Sequence, residues 1–282
     1  MRQPRACGAI DTKSKHTVNI IRGAIMHATK QVLPAYDHRR GSGPTLVFLH
    51  YWGGSARTWN LVTDRLADHD VLTMDFRGWS RSRGLSGPYT LSQLAADTLS
   101  VLDHAGVGDY VLVGHSMGGK VAQLVAGTRP ARLRGLILVG SGPAKAGAQI
   151  TTEYREQLSH AYDSEESTAQ ARDNILTARA LSDELKAQIV TDSRSSADAA
   201  RTEWPLRGIA QDISERTQMV NVPTLVIAGE NDHVEPAQIL QQNLIPYLPG
   251  AELMVIPSTG HLIPLEAPTE LANAISDFSP AT

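Results

Sequence analysis

From Met26 onward, short continuous apolar runs alternate with stretches whose apolar residues recur every three or four positions. The runs "TLVFLH" (45–50), "VLTMDF" (71–76), "YVLVG" (110–114), "GLILVG" (135–140), "TLVIAG" (224–229) and "ELMVIP" (252–257) each end in a loop. They read as strands buried on both faces, because a strand covered on both sides does not alternate apolar with polar. "KQVLPAYDHR" (30–39) reads as an edge strand, since Pro34 has no N–H to offer a neighbour. In "TLSQLAADTLSVLDHAG" (90–106), Leu91, Leu94, Ala95, Leu99 and Leu102 fall on one face of a helix that Gly106 stops. Further helices are expected in "MGGKVAQLVAGT", "EPAQILQQNLIPYL" and "APTELANAISDF". Strand alternating with helix predicts an α/β fold with a mostly parallel sheet covered on both faces.

The rhythm breaks between Pro143 and Thr217, which hold only helical patterns such as "TEYREQLSHAY" and "SDELKAQIVTD". Helices inserted between two strands of such a sheet fall over the strands' C-terminal ends, where ligands bind, so this segment is expected to be a helical lid insertion. About 75 residues are few for a second domain. The expected organisation is a tail over residues 1–25, core over 26–142, lid over 143–217 and core again over 218–282. The tail is basic and lacks the apolar stretch of a secretory signal, so it is read as disordered, or as a transit peptide, with Met26 as an alternative start.

Composition narrows the partners. The formal net charge of −3 shows no basic excess, so nucleic acid is not expected. No run approaches 18 consecutive apolar residues, so no membrane span is expected either. The single cysteine, Cys7, excludes a disulfide framework within the chain and fits a cytoplasmic location. The ten histidines show no metal-ligand spacing, and no metal or other cofactor is implied.

The candidate chemistry centres on "VLVGHSMGGKVAQ" (111–123), where an apolar run meets a glycine bend and a helix. Gly114, Gly119 and Lys120 approach a phosphate-binding loop, but that loop needs Ser or Thr after the lysine and Val121 stands there. Lys120 is then an ordinary residue of the following helix. Gly114, Ser116 and Gly118 instead form G-x-S-x-G, in which small residues let strand and helix cross closely while the serine hydroxyl stays exposed. A serine needs a base, and the base needs a third group to orient it. Asp232 follows the strand "TLVIAG" and His261 follows "ELMVIP", giving the order Ser, Asp, His, each just past a strand end. Glu230 and Glu235 are rivals of Asp232 on sequence alone. His233 is read as a bystander, and His50 and His115 as packing or hydrogen-bonding groups. Trp204 and Tyr154 could line a pocket under the lid or bury its helices, and the second is preferred.

From about Thr45 to Phe278 the chain resembles the α/β-hydrolase superfamily, in particular small cofactor-free serine esterases and the perhydrolases once called non-haem haloperoxidases. "FLHYWGGSARTW" resembles that family's oxyanion loop, which implies that the backbone N–H groups of Trp52 and Met117 stabilise an oxyanion. "DFRGWSRS" resembles its D-x-R-G-x-G-x-S loop, which implies structural roles for Asp75 and Arg77. Tyr51 and Ser80 stand where the family has glycine.

The expected function is hydrolysis of a small carboxylic ester through an acyl-enzyme. Ser116 is the expected nucleophile, His261 the base and Asp232 its orienting carboxylate. Activity should fall in acid, because the base must be neutral to act. A lactone, thioester or carbon–carbon hydrolase could use the same residues, and a non-catalytic small-molecule receptor could keep the same fold.

Overall fold

The computed structural model describes residues 32–278. The expected tail over residues 1–25 lies outside them, as does the start of the expected edge strand at Lys30. Seven strands form one sheet: β1 (Tyr36–Arg39), β2 (Ser42–Leu49), β3 (His69–Met74), β4 (Tyr110–His115), β5 (Leu133–Val139), β6 (Thr224–Gly229) and β7 (Glu252–Ile256). Their order is β1-β3-β2-β4-β5-β6-β7. β1 runs antiparallel to β3, and every other pairing is parallel. Pro34 precedes β1 rather than interrupting it.

Strand periodicity divides the apolar runs between two cores. Val47, Leu49, Leu112, Leu136 and Leu138 face one side, where they meet Leu94 and Val101 of the helix Leu91–His104 and Val121 of the helix Met117–Ala126. Leu46, Phe48, Val111, Val113 and Ile137 face the other, against Trp59, Val62 and the helix Pro268–Asp277. Both faces are therefore covered, which is why these runs carry no polar alternation. β7 departs from that expectation. It is the last strand of the sheet, and Met254 and Val255 are about 40% exposed (39% and 42%).

The helix Leu91–His104 starts where the Thr90 hydroxyl caps the Gln93 N–H, and Gly106 at φ +61° follows its end. Residues 143–217 hold helices and helical turns, chiefly Thr152–Ser159, Glu165–Ala171, Asp183–Arg194, Asp198–Glu203 and Trp204–Gly208. No described helix is long and apolar enough to cross a membrane. Because β2 and β4–β7 are parallel, their C-terminal ends share one edge of the sheet. Ser116, Asp232 and His261 all follow strand ends at that edge.

Candidate active site

β4 ends at His115, and the helix Met117–Ala126 begins one residue later. Ser116 makes the turn alone, at φ +54° and ψ −116°, in a region that residues with a Cβ seldom occupy. It is held there by its own peptide: its N–H donates to the Val139 carbonyl at 3.0 Å, and its carbonyl accepts from Gly119 and Gly142. The flanking glycines are there for space. A Cβ at Gly114 would lie 2.5 Å from the Gly118 carbonyl oxygen, and one at Gly118 would lie 2.5 Å from the carbonyl oxygens of Leu49 and His50. Both clashes are with backbone, so no rotamer relieves them. Gly118→Ala is expected to cost ~1–3 kcal/mol and lower the melting temperature by roughly 3–10 °C, read by a thermal melt against wild type.

The three side chains meet. Ser116 Oγ lies 2.9 Å from His261 Nε2, and His261 Nδ1 lies 2.8 Å from Asp232 Oδ2. All three residues are buried. The other carboxylate oxygen of Asp232 accepts from the N–H groups of Val234 (2.8 Å) and Glu235 (2.9 Å). Burial pushes the Asp232 carboxyl up, but the neighbouring His261 and these two N–H donors outweigh it and hold the group below its usual range. An ionised Asp232 takes the proton-bearing Nδ1 of His261, which leaves Nε2 free to accept from the serine hydroxyl.

The other histidines are placed elsewhere. His115 Nε2 donates to the His261 carbonyl at 2.8 Å, and burial together with the nearby His261 lowers it to about 3, so it stays neutral. His50 donates from Nδ1 to the Tyr51 carbonyl and accepts the Phe76 N–H at Nε2. It thereby joins the loop after β2 to the loop after β3. Burial lowers its pKa as well. His233 is exposed, and Glu230 caps the Ser258 N–H, so neither approaches His261.

The loop after β2 carries Trp52. Its indole N–H donates to the Arg201 carbonyl at 2.8 Å, its ring stacks on Tyr162, and its carbonyl accepts from Trp79. Neither the Trp52 nor the Met117 backbone N–H donates to a group among the described residues. Tyr51 keeps a negative φ, so the side chain in place of glycine brings no backbone strain. Ser80, the other such position, does adopt φ +44°. Asp75 accepts from the Ala56 N–H at 2.7 Å and from Arg81 at 2.5 Å, and Arg77 forms a two-pronged pair with Asp97. Both hold loops in place, and neither reaches Ser116.

Several contributors were not legible in the sequence. The His261 and Leu262 N–H groups both donate to the Leu176 carbonyl, so the helical segment grips the histidine loop. Buried Glu266 accepts from Gly260, Ala178 and Arg179, joining the same two pieces. Asp192 accepts from Ser55 and pairs with Arg57, tying the helical segment to the loop after β2. A cavity of about 270 Å³ remains between the segment and the sheet edge, lined by Ser116, His261, Trp52, Leu158, Trp204 and Glu235 among others. Trp204 and Tyr154 both border it, where the sequence reading preferred packing between helices to lining a pocket.

Lys120 is the clearest correction. It is fully buried, and its ammonium donates to the carbonyls of Gly208 and Ile209 at 3.2 and 3.1 Å. It is not an ordinary helix residue: it clamps the helical segment onto the helix that follows Ser116. Burial lowers its pKa from 10.5 to about 8. Between these values the unfolded chain binds more protons than the folded one, so stability is expected to rise with pH there, by up to ~3 kcal/mol. Urea midpoints at pH 7.5 and pH 10 should separate in wild type and converge in Lys120→Met; an equal separation in both would refute the assignment.

Residues 46–274 match the alpha/beta hydrolase family. The chain belongs to that family. It is 29% identical over 246 residues to the dihydrolipoyllysine-residue acetyltransferase component of the acetoin cleaving system of Pseudomonas putida, covering 84% of this chain but only 63% of that protein. It is also 29% identical to the uncharacterized hydrolase YugF of Bacillus subtilis (strain 168), over 86% of this chain and 93% of the relative. Among solved structures, a thermophilic esterase from Thermogutta terrifontis superposes with a TM-score of 0.71 at 25% identity, covering 86% of this chain and 91% of the esterase. This alpha/beta hydrolase thus shares its overall fold with that esterase.

Proposed function

We propose that the chain is a serine hydrolase that cleaves a small carboxylic ester through an acyl-enzyme intermediate. The observation that carries this reading is the continuous path from Ser116 Oγ through His261 to Asp232, buried at the C-terminal edge of the sheet and open to the cavity. Ser116 Oγ attacks the ester carbonyl while His261 Nε2 takes its proton. The tetrahedral oxyanion is held by the N–H groups of Trp52 and Met117, the latter opening a ten-residue helix whose N-terminal dipole favours negative charge. His261 returns the proton to the departing alcohol, leaving the acyl group on Ser116. A water then repeats the sequence, with His261 again as base, and releases the acid. Asp232 stays ionised throughout and stabilises the imidazolium that forms. Residues 143–217 act as the lid, since they roof the cavity and grip the loops that carry Trp52 and His261.

Labelling with a serine-directed fluorophosphonate tests this reading. Wild-type protein should be modified at Ser116 and nowhere else, and peptide mapping by mass spectrometry reads the site. Folded protein that fails to label at Ser116 would sink the nucleophile assignment.

A further inference from the structure

Glu235 stands in the cavity wall with no role in the chemistry above. It is 5% exposed, and it is the only carboxylic acid among the described residues that border the cavity. Its own N–H donates to Asp232 Oδ1, which fixes the backbone from which the side chain departs. The carboxyl itself has no hydrogen-bond or ion-pair partner among the described residues. Lys120 attracts it, but the ammonium is spent on the carbonyls of Gly208 and Ile209. Burial pushes Glu235 well above its ordinary range, and the negative charge of Asp232 pushes it further. Both effects favour the neutral acid, which has one O–H to donate and lone pairs to accept. Much of the remaining wall is apolar, as at Trp204, Leu158, Ile175 and Val234, and besides Ser116 and His261 it holds Gln157 and three tyrosines.

A buried polar group left unpaired by the protein is costly and uncommon, and the cavity is the side from which a ligand can supply the partner. We propose that Glu235 determines the substrate class of this site: an ester whose apolar acyl or alcohol part carries one neutral hydrogen-bonding oxygen, a hydroxyl or a keto group, which pairs with the Glu235 carboxyl. A cationic substrate fits less well. It would have to be stripped of water and paired with a carboxylate that must first lose its proton. A cavity of about 270 Å³ limits the substrate to a small molecule. This inference rests on the serine-hydrolase reading, and its test is arranged so that the two can fail separately.

The test compares kcat/KM for wild type, Glu235→Gln and Glu235→Leu on p-nitrophenyl esters in matched pairs. One member of each pair carries a hydroxyl or keto group where the other has a methylene. A second series places the same difference on the alcohol side of acetate esters, and a quaternary-ammonium ester of matched length completes the panel. Wild type should favour the oxygen-bearing member in one series by about tenfold or more, because the plain ester leaves Glu235 unpaired. Glu235→Gln, a neutral group of the same shape, should keep the preference, and Glu235→Leu should reverse it. Equal rates within every pair for wild type, or a preference that survives in Glu235→Leu, would overturn the proposal. So would a preference for the ammonium ester that is lost in Glu235→Gln, which would assign a carboxylate that binds cations. Fluorophosphonate labelling of Ser116 is read in all three proteins. Wild type that does not label fails the hydrolase reading, whereas wild type that labels without discriminating fails the substrate assignment alone. Should Glu235→Leu not fold, Glu235→Met, of similar length and without a strong hydrogen-bonding group, takes its place and should likewise lose the preference.

Discussion

Ser116→Ala is expected to lower kcat for ester hydrolysis by on the order of 10⁴- to 10⁶-fold while leaving the fold intact. The side chain is small and makes one side-chain hydrogen bond, to His261, so its loss opens little space. The turn itself is held by backbone bonds that alanine retains, from Ser116 N–H to Val139 and from Gly119 and Gly142 back to residue 116. Alanine has a Cβ like serine, so φ +54° is no harder to reach. The melting temperature should stay within a few degrees of wild type, consistent with a change at a site without a cavity or an orphaned group. Residual activity would come from the proposed oxyanion donors and substrate binding alone. Rates within tenfold of wild type would show that some other group is the nucleophile.

Asp232→Asn is expected to cost about 10⁴-fold in kcat by a different route. In the structure Asp232 Oδ2 faces His261 Nδ1 at 2.8 Å, and Oδ1 takes the N–H groups of Val234 and Glu235. Those two donors require an oxygen at Oδ1. The amide nitrogen of asparagine is therefore forced to the Oδ2 position, where it presents N–H to Nδ1. Nδ1 must then accept, which moves the ring proton to Nε2, and Nε2 can no longer take the serine's proton. The geometry survives but the tautomer is wrong. Steady-state kinetics and the labelling rate at Ser116 should fall together. A variant that labels as fast as wild type would show that Asp232 does not govern His261.

Much of the fold is readable from spacing alone, and the reason lies in burial. A strand covered on both faces must be apolar at every position, so β2, β4, β5 and β6 appear as runs whose limits lie within a few residues of those seen. The same rule misled at β7, because an apolar run does not reveal that a strand has only one neighbour and stands at the edge of the sheet. Candidate chemistry was readable for a related reason. A Cβ at Gly114 or Gly118 would lie 2.5 Å from backbone oxygen, and a demand that strict leaves a fixed trace in sequence.

Lys120, Glu235, Asp192 and Glu266 left no such trace. Each is polar, and polar residues are ordinarily read as solvated. What buries them is the packing of residues 143–217 against loops more than a hundred positions away for Asp192, and some 90 positions away for Lys120 and Glu266. The sequence by itself determined the strands, the helices after them and the strand ends at which Ser116, Asp232 and His261 fall, because local spacing and backbone sterics act along the chain. Only the tertiary structure decided that those side chains meet within 3 Å, that Lys120 is a buried clamp and that Glu235 faces a cavity unpaired. Hydrogen bonding and desolvation depend on what surrounds a group in space, and neighbours in space are not neighbours in sequence.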